Sequence, residues 1–139
     1  MGPVFIAERL PTVEEYRRLR ASVGWRALPE ETMARGLAGS LFAACALAEG
    51  EVVGTGRVVG DGGVYFYLQD VMVVPAWQGR GVGRQVTAAL MGWLTAHAPP
   101  EAWIGLMASA GKAGFYETFG FRRRTGDAPG MFRILSDPA

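Results

Sequence analysis

Val71 to Trp93 reads VMVVPAWQGRGVGRQVTAALMGW. An apolar run ends at Pro75, a turn carrying Gly79, Gly81 and Gly83 follows, and apolar residues then recur at Val82, Val86, Ala89, Leu90, Trp93 and Leu94. This spacing predicts a strand, a glycine-rich turn and a helix that packs one face and leaves its first turn free. The first amides of such a helix have no acceptor within it, and its dipole is positive at that end. With Arg80 and Arg84 alongside, the turn is suited to phosphate.

Short glycine patterns also serve as plain tight turns, so the detail decides. A dinucleotide fingerprint requires GxGxxG, whereas only GxGxG is present, and no GK[ST] follows as a P-loop requires. The string VMVVPAWQGRGVG instead resembles the acetyl-CoA motif of the GNAT superfamily of N-acetyltransferases: an apolar strand, a proline, then Q/R-x-x-G-x-G/A at the head of a helix. Gln78, Gly81 and Gly83 fill that pattern.

The rest of the chain bounds and extends this reading. A chain of 139 residues fits one domain, taken as residues 1–139. Half of the residues are hydrophobic, yet no apolar run reaches the roughly 20 residues of a membrane helix. The start MGPVFIAERL lacks the zones of a signal peptide, so a cytoplasmic protein is expected. A net charge of +1, both signs scattered, offers no footprint for nucleic acid or an anionic membrane. One cysteine and one histidine exclude an internal disulfide and the common zinc clusters, and no metal is expected.

In chain order, Val4 to Ile6 reads as a short strand, and Thr12 with Glu15 forms a capping box for a helix burying Val13, Tyr16, Leu19 and Val23. SVGWRALPEET breaks the pattern at Gly24 and restarts a helix near Pro29. Leu41 to Ala48, Val52 to Val59 and Val64 to Val74 are strand-like runs separated by hairpin-length turns, an antiparallel meander. After the central helix come the strand Ala102 to Met107 and a short helix within Gly111 to Phe119, ended by Gly120. Phe121 to Thr125 and Met131 to Leu135 are expected to pair across GDAPG. The order resembles the GNAT fold over nearly the whole chain. The order predicts an α/β fold of the α+β kind, a mixed sheet of about seven strands with about four helices, and the resemblance implies that its strands splay around the cofactor.

The resemblance implies acetyl-CoA as co-substrate. It assigns backbone groups of Val71, Met72 and Val73 to the pantetheine and acetyl group, and amides of Gly79, Arg80, Gly81, Val82, Gly83 and Arg84 to the pyrophosphate, with Gln78 shaping the turn. AGKAGFYETFGF resembles the family's late helix, whose tyrosine, here Tyr116, commonly protonates the departing thiolate, with Phe115 packed on the cofactor. Thiol and phenol ionise close enough together for that transfer. The family's frequent asparagine is replaced by Ala110.

Transfer to an amine also requires a base. Asp70 is a carboxylate inside the strand VYFYLQDVMVV, where such a residue is uncommon; it reads either as that base or as a buried ion pair with Arg57. Trp25 and Arg26, in the loop between the first two helices, and Tyr67 are candidates for the acceptor pocket; Trp25 reads equally as a cap on the core. Cys45 lies in an apolar strand and reads as packing. The chain therefore reads as an acetyl-CoA-dependent N-acetyltransferase acting by direct attack on a primary amine, with a small molecule favoured as acceptor. The alternatives are a macromolecular acceptor or a non-catalytic acyl-CoA-binding module. An edge strand near the C-terminus is one route to a homodimer.

Overall fold

The computed structural model describes residues 2–138. They form two compact units, one ending at Gly105 and one beginning at Leu106.

The first unit contains one five-stranded sheet in the order β1 (Phe5–Ala7), β2 (Phe42–Ala48), β3 (Glu51–Gly60), β4 (Tyr65–Val73) and β5 (Trp103–Gly105). β1 to β4 are antiparallel, as the short turns from β2 to β3 and from β3 to β4 require of those three, and β5 joins β4 in parallel after the crossover helix. Helices α1 (Val13–Ser22) and α2 (Glu30–Ala38) precede β2, and α3 (Val82–His97) lies between β4 and β5. Thr12 and Glu15 form the expected capping box at the start of α1. At the β3–β4 turn, Asp61 Oδ1 accepts from the amides of Gly63, Val64 and Tyr65, so one side chain organises the whole GDGG turn.

Strand alternation divides the core between the two sheet faces. On one face Tyr16 and Leu19 of α1 and Met33 and Leu37 of α2 pack with Cys45, Val52 and Met72. On the other, Val82 and Val86 of α3 pack with Ala46, Ala48, Val53 and Trp77. Gly54 and Gly56 of β3 let α3 lie close. A Cβ at Gly56 would stand 2.9 Å from Val86 Cγ1 and 3.0 Å from Leu90 Cδ1.

One buried group on α3 lacks a partner. Thr87 is wholly buried, and its Oγ1 makes no hydrogen bond. Leaving such a hydroxyl unsatisfied costs about 1–3 kcal/mol. Thr87→Val, close in shape, is therefore expected to raise stability by about 1 kcal/mol, read as a higher urea midpoint at unchanged m; a lower midpoint would show that the hydroxyl has a partner in solution.

The second unit holds α4 (Ala113–Glu117), ended at Gly120 with φ +91°. The strands expected at Phe121 to Thr125 and Met131 to Leu135 are not formed, so the sheet has five strands rather than about seven. Met131, Phe132 and Leu135 are 80–90% exposed, and strand propensity acts only where a second face is there to bury the side chains. The strand expected at Ala102 to Met107 is also shorter, ending at Gly105.

Candidate active site

β5 follows β4 only part of the way. The parallel register runs Tyr65 with Trp103, Phe66 with Ile104 and Tyr67 with Gly105, and then stops while β4 continues to Val73. From Leu68 onward the β5 side of β4 is thus an edge without a paired strand in this unit.

The end of that edge runs into the glycine turn. Pro75–Trp77 forms one turn of 3-10 helix, and Trp77 is buried against Ala46, Val53, Val82 and Val86. Gln78 Nε2 donates to the Val73 carbonyl at 2.9 Å, fastening the turn to the last residue of β4. Gly79 and Gly81 have φ of +77° and +82°, backbone that other residues enter with strain. A Cβ at either would meet nothing within 4 Å, so these glycines serve the turn's shape and leave open space above it. Gly81 caps α3 and, being glycine, offers the helix's first-turn amides no side-chain acceptor. Arg80 and Arg84 are exposed, Arg80 lying against the Trp77 ring at 5.8 Å. Open space and first-turn amides meet at the head of α3, with two exposed cationic residues on the same turn, a set that fits the pyrophosphate of the cofactor expected there.

Asp70 lies in the part of β4 beyond the reach of β5 and is 5% exposed. Its Oδ2 accepts from Arg57 Nε at 2.8 Å and from the Tyr16 hydroxyl at 2.6 Å, and Gln69 Nε2 is 3.3 Å from Oδ1. The ion pair with Arg57 is therefore present, and three donors occupy a carboxylate that a base would have to turn toward the acceptor. Arg57 Nη1 reaches further, to the Gly36 carbonyl and the Ser40 hydroxyl, which ties α2 to the same cluster.

Asp70 also occupies unusual backbone, with φ +59°. Between Arg57↔Gln69 and Thr55↔Met72, β3 advances two residues and β4 three, so Asp70 and Val71 together oppose Gly56 in a β-bulge. The bulge changes the facing of the strand. Phe66 lies edge-on to Trp93 of α3, whereas Met72, six residues on, packs with α1 and α2 on the opposite face. Without the extra residue, Asp70 would point with Phe66 toward apolar α3.

Trp25 packs on the α1–α2 core, and the Arg20 guanidinium lies 5.5 Å from its ring and 5.5 Å from that of Tyr16. Arg26 is exposed, and its carbonyl accepts from Arg20 Nη2 at 3.0 Å. The structure thus joins Trp25, Arg26, Tyr16 and Asp70 through Arg20 and Tyr16. Tyr67 lies at the point where β5 pairing ends, and burial raises its phenol pKa. In the second unit Tyr116 is half-buried between Phe115, 5.0 Å away, and Phe121, 6.1 Å away. Burial pushes the Tyr116 phenol above its usual value, so it keeps its proton across the neutral range.

Cys45 is fully buried and its thiol is pushed up by burial, as is the Tyr16 phenol by burial and by its bond to Asp70. Both groups retain protons in the folded state that the unfolded chain has begun to release. Stability is therefore expected to fall as pH rises from about 9 through the raised values, because the folded state binds more protons there. Urea midpoints at pH 7.5 and 10 check this, and Cys45→Ala is expected to flatten the decline; equal midpoints for the parent protein would contradict it.

The Tyr16 bond to Asp70, the bulge and the Gln78 tie were not visible in sequence. The one usable signal was aspartate itself, which tolerates left-handed backbone better than most residues.

The acetyltransferase (GNAT) domain family matches residues 39–123, more than half of the chain, and the chain belongs to that family. A probable acetyltransferase from meticillin-resistant Staphylococcus aureus is 28% identical, with TM-score 0.89 over 96% of this chain and 100% of that one. A GNAT-family acetyltransferase from Streptococcus pneumoniae is 29% identical, with TM-score 0.78 over 97% and 100%. An aminoglycoside N-acetyltransferase in complex with CoA shares the fold at 19% identity, with TM-score 0.69 over 96% and 95%. No protein of curated function matches significantly. Among the described residues no helix is long and apolar enough to cross a membrane.

Proposed function

We propose that this protein transfers the acetyl group of acetyl-CoA to a primary amine of a small molecule, by direct attack and in the cytoplasm. The observation that carries the reading is the head of α3, where Gly79 and Gly81 leave open space over first-turn amides at the end of an unpaired strand edge. CoA in the aminoglycoside N-acetyltransferase complex supports the cofactor class. We take residues 1–139 as one acetyltransferase domain, since the family match crosses the Gly105–Leu106 boundary.

Acetyl-CoA, when bound, supplies the acyl group as an activated thioester. The amides from Gly79 to Arg84 bind the pyrophosphate, with the Arg80 and Arg84 side chains adding charge. The β4 edge from Leu68 to Val73 orients the pantetheine arm, and an amide among Val71, Met72 and Val73 donates to the thioester carbonyl oxygen. A fixed donor at that oxygen stabilises the charge that develops on it. Phe115 packs on the cofactor, and the Tyr116 phenol gives its proton to the departing sulfur. Trp25, Arg26 and Tyr67 shape the acceptor pocket. Because the Asp70 carboxylate is engaged by Arg57 and Tyr16, we assign it to the ion pair rather than to the base. The acceptor then reacts as its free amine, having lost its proton to water.

The test is thiol release from acetyl-CoA across a panel of small primary amines and lysine peptides. Release driven by small amines is expected. Release driven only by peptides would move the acceptor to proteins, and cofactor binding without release on any amine would leave a binding module.

A further inference from the structure

The bulge in β4 sets which way each residue beyond it faces, and a strand that lost the extra residue would slip by one and turn every later side chain over. Three side chains hold the bulged register. Tyr16 donates to Asp70 from α1, Arg57 donates to it from β3, and Arg57 is in turn held by the Gly36 carbonyl and Ser40 of the α2 end. All lie on the α1–α2 face, which Asp70 reaches only because the bulge is present. On the other face Val71, the second bulge residue, stands with Val86 and Leu90 around Gly56, where a Cβ would lie 3.1 Å from Val71 Cγ2. The bulge is clamped from both sides, by charge on one and by packing on the other.

We propose that Asp70, Tyr16 and Arg57 are positioning residues that fix the backbone of Asp70 to Val73, and through it the amide that contacts the acetyl carbonyl. This rests on the acetyl-CoA reading above. The latch acts at the acyl end of the cofactor site, because the pyrophosphate cradle at Gly79 to Arg84 has its own anchor in Trp77, buried with Ala46, Val53, Val82 and Val86, and Gln78 ties it to β4 only at Val73, three residues past Asp70. It thereby separates two properties of the site. Affinity for CoA belongs to the glycine turn, and preference for the acetylated form belongs to the latch.

The experiment compares Kd for CoA and acetyl-CoA, by titration calorimetry, in the parent protein, Tyr16→Phe and Asp70→Asn. Asparagine keeps the tolerance for left-handed backbone, and phenylalanine removes only the hydroxyl donor, so both changes leave the chain its shape. Circular dichroism confirms folding. The parent is expected to prefer acetyl-CoA by about fivefold, the worth of one ordinary hydrogen bond. The preference should fall toward one in both variants while CoA affinity stays within about twofold. The carbonyl stretch of carbonyl-13C acetyl-CoA gives a second readout: lowered on binding to the parent, and returned toward its solution position in the variants. Folded variants that keep both the preference and the lowered stretch overturn the latch, as does a parent that binds both forms equally. A parent that binds neither form would instead remove the cofactor reading itself.

Discussion

Tyr116→Phe is expected to lower kcat by about 100-fold or more while leaving the Kd for acetyl-CoA nearly unchanged, a pattern that marks a contact made only as the thiolate departs. The phenol stands between Phe115 and Phe121, where burial raises its pKa, so its proton is retained at neutral pH until a strong acceptor appears. On ordinary values a thiolate accepts a phenol proton about 2 kcal/mol uphill, and the raised Tyr116 pKa adds to that cost, which the positioning of the acid beside the departing sulfur must offset. Phenylalanine preserves the ring contacts and removes only the hydroxyl. Single-turnover measurement with an accepted amine, alongside cofactor titration, separates chemistry from binding. Unchanged kcat would remove Tyr116 from the chemical step, and unchanged kcat with weaker cofactor binding would make it a binding residue.

The second large effect concerns stability. Asp70→Ala leaves Arg57, whose side chain is 15% exposed, without its counter-charge and leaves the Tyr16 hydroxyl without its acceptor. Removing one partner of a buried pair typically costs about 3–5 kcal/mol, and partial solvent access at Arg57 puts the loss near the lower end. For a chain of this length that is a fall in Tm of roughly 10 °C. Alanine also enters left-handed backbone less readily than aspartate, which adds to the loss. Thermal unfolding of the two proteins checks it, and a fall of only a degree or two would show that the pair contributes little beyond a surface bridge.

Local chemistry made much of this fold legible. Thr12 and Glu15 announce α1 because the cap depends on residues three apart, and Asp61 before Gly62 and Gly63 announces the β3–β4 turn for the same reason. The glycine turn could be read because its chemistry lies in consecutive backbone. Asp70 shows where such reading stops. In YFYLQDVMV the buried residues Phe66, Leu68, Asp70 and Met72 alternate without a break, so the pattern predicts one regular strand. The bulge that moves Asp70 to the α1–α2 face depends on Tyr16, 54 residues earlier, and on close approach at Gly56, neither of which is a local property. The opposite error arises at Met131 to Leu135. Those residues have the composition of a strand, but the exposed side chains receive none of the burial that would turn propensity into structure.

The central claim is that the β4 edge and the head of α3 form an acetyl-CoA site. Thermal unfolding with and without acetyl-CoA, with desulfo-CoA and ATP as comparisons, tests it most directly. At about 100 times the dissociation constant, binding adds about 2.7 kcal/mol, a rise of several degrees for a domain of this size. A rise with acetyl-CoA and desulfo-CoA but not with ATP is the predicted result; no rise at millimolar acetyl-CoA would mean that the turn from Gln78 to Arg84 is structural and would contradict the enzymatic account.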